Sequence, residues 1–277
     1  VVSVVRVAAG LLWAAAFFGA AQAAEVRVEG RNDPDAQAIA RGVEAYINKI
    51  EQIDTGLIFV GSGVVRSSSG ATYRLRLPQV ILETLDGPRV DFGVIEIDVT
   101  PSGIDLYRFD VRPTPPVVIR IDGAPIASLM VAEQSYRGIW DRRLNSVAEA
   151  ELRYRDLSVE GRGDFDFSLR IDEITVRETA TISADGTQID RKGTGIAVGS
   201  KWRTGDLGVS ASVETWSFDL DVEDLPIEFA RDGALERALS PTPRSVGEQV
   251  LASLRGEAGR QRIRFEMEGL GIRTPSG

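Results

Sequence analysis

The chain holds 41 Asp and Glu residues but no His and no Cys. Those two absences remove imidazole and thiolate chemistry: Ser-His-Asp and Cys-His relays, and metal sites built on nitrogen or sulfur. Carboxylate chemistry survives, either as an acid pair for glycoside hydrolysis or as a calcium site built from oxygen ligands. The densest group is Asp219, Asp221 and Glu223, which share one face of an alternating segment and are followed by Asp224. No EF-hand loop surrounds it, and a solvated outer strand face accounts for it more simply. Lys192-Gly-Thr-Gly195 with Gly199 is glycine-rich, but no amphipathic helix follows to complete a phosphate cradle, so hairpin turns are expected there. Arg162-Gly-Asp164 reads as a turn. Ser200 and Lys201 are adjacent, so a strand sends them to opposite faces and no serine–lysine dyad forms. The sequence therefore predicts a non-catalytic protein with no cofactor and no metal.

Apolar side chains offer the other kind of site. Trp140, Trp202, Trp216, Phe165, Phe167, Phe218 and Phe265 give large apolar surface at strand positions. Most belong to a core. If the sheet encloses an open interior, the inward candidates for a groove able to take an acyl chain are Leu75, Leu77, Ile97, Phe167, Leu169, Phe218, Leu220, Phe265 and Met267. Such a groove requires a continuous apolar cavity of ~300 Å³ or more.

The elements that must position these residues are legible as periodicities. Arg31-Asn32-Asp33-Pro34 supplies an N-cap and a first-turn proline. Ile39, Val43, Tyr46, Ile47 and Ile50 then form one helical stripe, ending near Gly56. Strict alternation marks strands at Tyr73–Leu77, Ile95–Val99, Val117–Ile121, Phe165–Ile171, Trp216–Val222 and Ile263–Met267. One wet face per strand implies antiparallel pairing. Pro113-Thr-Pro-Pro116 is the one candidate linker, and it is expected to bend or end an edge strand. After Pro226, short helices are expected at Asp232–Leu239 and Ser245–Leu254, then a closing strand over Gln261–Gly269.

Five segments alternate, skip one residue, and alternate again in the opposite phase: Leu75–Leu82, Leu152–Val159, Leu169–Val176, Leu220–Ile227 and Phe265–Ile272. The skipped residues are Gln79, Asp156, Glu173, Asp224 and Gly269. On a flat strand the second half would turn its apolar groups to water. A β-bulge, or a bend into a second layer, restores the inward phase. The expected fold is mainly β with flanking helices (α+β): a strongly curved antiparallel sheet forming a partly closed barrel or wrap.

Residues 1–23 carry Arg6, an apolar run from Val7 to Phe18 and an Ala21-Gln-Ala23 site, the parts of a cleavable secretion signal. Residues 24–277 then form a single β-rich domain. The net charge of −9 argues against nucleic acid and against an anionic membrane face. Lys occurs only at Lys49, Lys192 and Lys201 against many Arg, a skew of GC-rich genomes. The expected location is the periplasm of a Gram-negative bacterium.

Around Tyr136-Arg-Gly138-Ile-Trp140-Asp-Arg-Arg-Leu144, with the Tyr-x-Leu-x-Leu-Pro strand at Tyr73–Pro78, the chain resembles a family of secreted alphaproteobacterial proteins. The likeness covers Leu57–Gly161, and the family carries no assigned activity, so it implies no chemistry. In element order the chain also resembles periplasmic lipoprotein carriers and mycobacterial lipid-binding lipoproteins, whose half-barrels carry helices over an apolar concavity. The leading expectation is a non-catalytic protein that binds or shuttles a lipid, an acylated molecule or a similar amphiphile. The alternative is an envelope scaffold or accessory protein gripping another protein through a sheet edge. A hydrolase using Asp219 and Asp221 stands third and an outer-membrane barrel fourth, the latter opposed by the Arg- and Asp-rich alternate face.

Overall fold

The computed structural model describes residues 25–30, 33–51, 57–83, 89–113, 116–121, 123–144, 146–161, 166–205, 208–227 and 260–274. The export signal, Arg162-Gly-Asp164 and the helices expected at Asp232–Leu239 and Ser245–Leu254 lie outside the described residues. The described part is mostly strand, one strongly curved sheet with one helix.

Asp33 starts that helix. Its Oδ1 accepts from the Asp35 N–H at 2.9 Å, and its carbonyl accepts from the Gln37 N–H at 3.0 Å. Pro34 sits first, where no donor is required. The helix, α1 (Pro34–Glu51), buries Ala36, Ile39, Ala40 and Ile47 along the predicted stripe. The Tyr73 hydroxyl donates to Asp33 Oδ2 at 2.9 Å and ties the cap to the sheet.

The strands are β1 (Val26–Glu29), β2 (Leu57–Val60), β3 (Gly63–Ser67), β4 (Tyr73–Glu83), β5 (Arg89–Gly103), β6 (Leu106–Val111) and β7 (Val117–Ile121). The longer ones follow: β8 (Ala124–Asp141), β9 (Ser146–Gly161), β10 (Phe167–Ile182), β11 (Gln188–Thr204) and β12 (Ser210–Pro226), then β13 (Arg260–Glu268) and β14 (Gly271–Arg273). They bond in the order β1-β3-β4-β5-β6-β8-β9-β10-β11-β12-β13, with β2 on β4, β7 on β5 and β8, and β14 on β12. The ring is partial: among the described residues neither β1 nor β13 pairs onward. One pair departs from the antiparallel expectation. β1 and β3 run parallel, because the chain returns through α1 and β2 and so re-enters in the same direction.

The phase slips have a common cause. Asp156 on β9 stands in register with Asp172 on β10, Gly199 on β11, Glu214 on β12 and Gly269 beyond β13. Along this line Asp156 (φ 48°), Gly199 (φ 69°) and Gly269 (φ 67°) are left-handed, on alternate strands. No bulge interrupts the pairing there, since each strand carries the same extra residue and the sheet creases as a unit. Apolar residues stay inward on both sides: Leu152 then Leu157 on β9, Ile171 then Ile174 on β10. On β4 and β5 the line continues as two compensating bulges, between Arg76 and Gln79 and at Gly93 (φ 70°). Short strands break on it. β2 and β3 meet β4 on opposite sides of the line, β6 and β7 meet β5 and β8, and β13 and β14 meet β12.

The fifth slip lies elsewhere, at Asp224 (φ 56°), where β12 bulges against β11 and the Asp224 N–H donates to Asp190 Oδ1 at 3.0 Å. Two expectations are corrected. The proline segment separates β6 from β7, which both lie between β5 and β8, so neither is an edge strand. The glycine-rich stretch is mid-strand in β11 rather than a turn: a side chain at Gly195 would collide with the Phe218 ring, and one at Gly199 with Asp172.

The concave side holds a main core running from Ile39 and Val65 to Leu157, Ile174 and Ala197. A second cluster forms where Leu144, in the β8–β9 turn, tucks against Ile189, Val222 and Leu225. The convex side carries charge ladders: Glu151 joins Arg137 and Arg177, each at 2.9 Å, and Glu173 joins Arg153 and Arg155. A lipid-facing barrel wall would be apolar there.

Candidate site: an apolar recess under the helix

An apolar recess of about 130 Å³ lies between α1 and the concave sheet. Its roof is Ala38, Ile39, Gly42, Val43 and Tyr46 of α1. Its floor comes from Leu75 and Leu77 of β4, Ile97 and Val99 of β5, Tyr107, Phe109 and Val111 of β6, Tyr136 and Trp140 of β8, and Val147 of β9. Alternation on each strand sends these residues inward, and the partial ring brings them under one helix. The small roof residues matter. Gly42 lines the recess, and a Cβ built on it would meet nothing within 4 Å.

Aromatic contacts fix the walls. Tyr46 meets Trp140 edge-to-face at 4.7 Å between ring centroids, and Phe109 meets Tyr136 the same way at 5.2 Å. Burial pushes the Tyr136 hydroxyl well above its ordinary range, helped by the nearby Glu178 carboxylate. Burial also raises Tyr154 to about 12. Both phenols remain neutral donors at any physiological pH.

A charge pair is buried next to Val147, one of the recess residues. Arg191 Nη2 lies 2.7 Å from Glu178 Oε1 and donates to Ser146 Oγ at 3.0 Å and the Val147 carbonyl at 3.3 Å. Arg191 is 3% exposed and its Nε has no hydrogen-bond partner. The pair is neutral as a unit and bridges β9, β10 and β11; removing one member would strand the other charge. At the rim, Arg142 is held by Asp105.

A second, open cleft of about 540 Å³ lies beside the β10–β11 turn, lined by Leu106, Ile139, Asp141, Arg143 and Ser183–Gly186 among others. Its buried carboxylate, Asp141, accepts from the Arg143 backbone N–H at 2.8 Å and from Nε at 3.0 Å. Asp141 is thus tied to Arg143, while Glu149 and Asp185 also line the cleft.

Of the predicted groove residues, Leu75, Leu77 and Ile97 line the recess. Phe167 and Leu169 pack half-buried on the main core beyond the crease. Phe218 is buried over Gly195 and contacts Phe265 at 6.1 Å, while Leu220 packs on the second cluster. Phe265 and Met267 stand 69% and 61% exposed on β13. Sequence alternation placed Leu75, Leu77 and Ile97 inward but also counted Phe265 and Met267, which stand exposed, and it could not show which residues α1 covers. Tyr46 was legible on the helical stripe and Trp140 as an aromatic at a strand position, but Phe109 and Tyr136 were not singled out for the site, because the meeting of these rings is a long-range event.

The carboxylates Asp219, Asp221 and Glu223 stand opposite Arg264, Arg262 and Arg260 across the β12–β13 ladder. Arg260 lies 3.3 Å from Glu223 and 2.7 Å from Asp224. Of the three carboxylates, Glu223 is ion-paired, and Asp221 Oδ1 is buried with no hydrogen-bond partner. Among the described residues no three His, Cys, Asp or Glu side chains come together as a metal site. No family model matches the chain, and no curated protein or solved structure shows significant similarity to it.

Proposed function

We propose that this protein is an exported, periplasmic, non-catalytic binding protein that takes the apolar end of an amphiphile into the recess under α1. The observation that carries the reading is a half-open apolar recess, walled by aromatic rings, between α1 and the sheet. Interiors are normally close-packed, and here Gly42, a residue that weakens helices, lines the open space, where a Cβ built on it would meet nothing within 4 Å. The size sets the guest. The recess, about 130 Å³, falls short of the ~300 Å³ at which ligand pockets begin. An apolar cavity of about 150 Å³ accommodates a benzene ring. The recess therefore suits a ring or the tip of an alkyl chain, and a whole acyl chain enters only if α1 lifts.

The test is direct. Protein purified from its native envelope is extracted and the extract analysed by mass spectrometry, and a fluorescent fatty acid is titrated against it with tryptophan emission as readout. A co-purifying amphiphile, or saturable binding that alters Trp140 emission, supports the reading. Clean spectra together with no probe binding end it. A second reading, attachment to another protein through a sheet edge, is favoured by the free β13 edge among the described residues.

A further inference from the structure

Strand β13 closes the described sheet, and its other edge pairs with no described strand. Edge strands left open are templates for further pairing. Its two faces differ sharply. One carries Arg260, Arg262 and Arg264 followed by Glu266 and Glu268, basic in the first half and acidic in the second. The other face carries Phe265 and Met267, both exposed.

The arginines stand opposite the β12 carboxylates Glu223, Asp221 and Asp219, whereas Glu266 and Glu268 stand opposite Ser217 and Thr215. The acidic half thus lacks a charged partner across the ladder, although Arg264 reaches Glu266 along the strand.

We infer that β13 pairs antiparallel with β13 of a second copy of this chain, about a two-fold axis through Phe265. In that register Arg264 of each copy faces Glu266 of the other, and Arg262 faces Glu268. Phe265 meets its own counterpart on the apolar face. Shifting the axis to Arg264 would set arginine against arginine, so charge selects the Phe265 register. A two-fold interface requires a surface complementary to itself, which this charge order supplies. The two concave faces then join into one continuous sheet.

The absence of cysteine gives a clean test of register. Directly opposed residues in an antiparallel pair lie ~4.5–5.5 Å apart at Cα, within disulfide reach. Phe265→Cys is expected to give an oxidised covalent dimer, while Met130→Cys, at another exposed apolar position, stays monomeric on a non-reducing gel. Sedimentation equilibrium tests the charges. Glu266→Arg with Glu268→Arg makes the strand basic, and Arg262→Glu with Arg264→Glu makes it acidic. Each double variant alone is expected to self-associate at least about ten-fold more weakly than wild type, and their mixture to recover the dimer. A wild type that stays monomeric up to millimolar concentration overturns the proposal. So do charge variants that dimerise like wild type, a mixture that fails to recover, or equal cross-linking at both cysteine positions. None of these readouts involves a ligand, so they stand or fall apart from the recess reading.

Discussion

Single residues set local features of this fold. Asp33 is held below the usual carboxylate range by the Tyr73 hydroxyl, with the backbone N–H groups of Asp35 and Ala36 assisting. The same contact, added to burial, pushes Tyr73 up to about 12. Tyr73→Phe is therefore expected to raise the Asp33 pKa toward its ordinary value, measurable by carboxyl NMR titration; an unchanged value would show that the cap alone sets it. Gly138 and Gly199 work through space. A side chain on Gly138 would strike the Glu149 carbonyl, which is backbone and cannot step aside. Gly199 combines a left-handed backbone, costing other residues about 1–2 kcal/mol, with the Asp172 carboxylate seated over it. Gly199→Ala should lose about 2 kcal/mol or more in urea unfolding, whereas Gly42→Ala should gain up to about 1 kcal/mol.

At the scale of elements, the crease explains why part of the fold was readable in the chain and part was not. Alternation that reverses phase is local information, so the skipped residues Asp156, Asp224 and Gly269 were legible, and all three are left-handed. The α1 stripe and its Asp33 cap were legible for the same reason. That the slips on β4, β9, β10 and β13 fall on one transverse line depends on register between strands far apart in sequence, which no single segment encodes. The glycine stretch at 193–199 was misread as a turn because its partners, Phe218 and Asp172, come from neighbouring strands. The recess was out of reach for the same reason: it exists where α1 happens to lie over β4, β5, β6 and β8.

For the molecule as a whole, charge and packing set the conditions of stability. Hydrogen bonds from Arg137 and Arg177 lower Glu151. Burial works to raise Asp98 and Glu173, but their paired arginines outweigh it and leave both lowered. Such groups contribute stability that is complete above the ordinary carboxylate range and is lost as pH falls through their folded values. Tyr73 and Tyr154, raised to about 12, act oppositely: their contribution is complete below the ordinary ~10 of tyrosine and fades as pH climbs through about 12. With no histidine in between, thermal melting should show a plateau across neutral pH bounded by an acid and an alkaline limb. A transition centred near pH 6–7 would contradict that assignment.

If the space beneath α1 is a binding site and not a packing flaw, Gly42→Leu separates the two. The added side chain fills the recess while improving the helix, so the variant should fold with equal or higher stability. A fluorescent fatty acid should bind wild type saturably with one site and fail to bind the variant. Equal binding to both proteins, or none to wild type, would show that the recess is not the binding site.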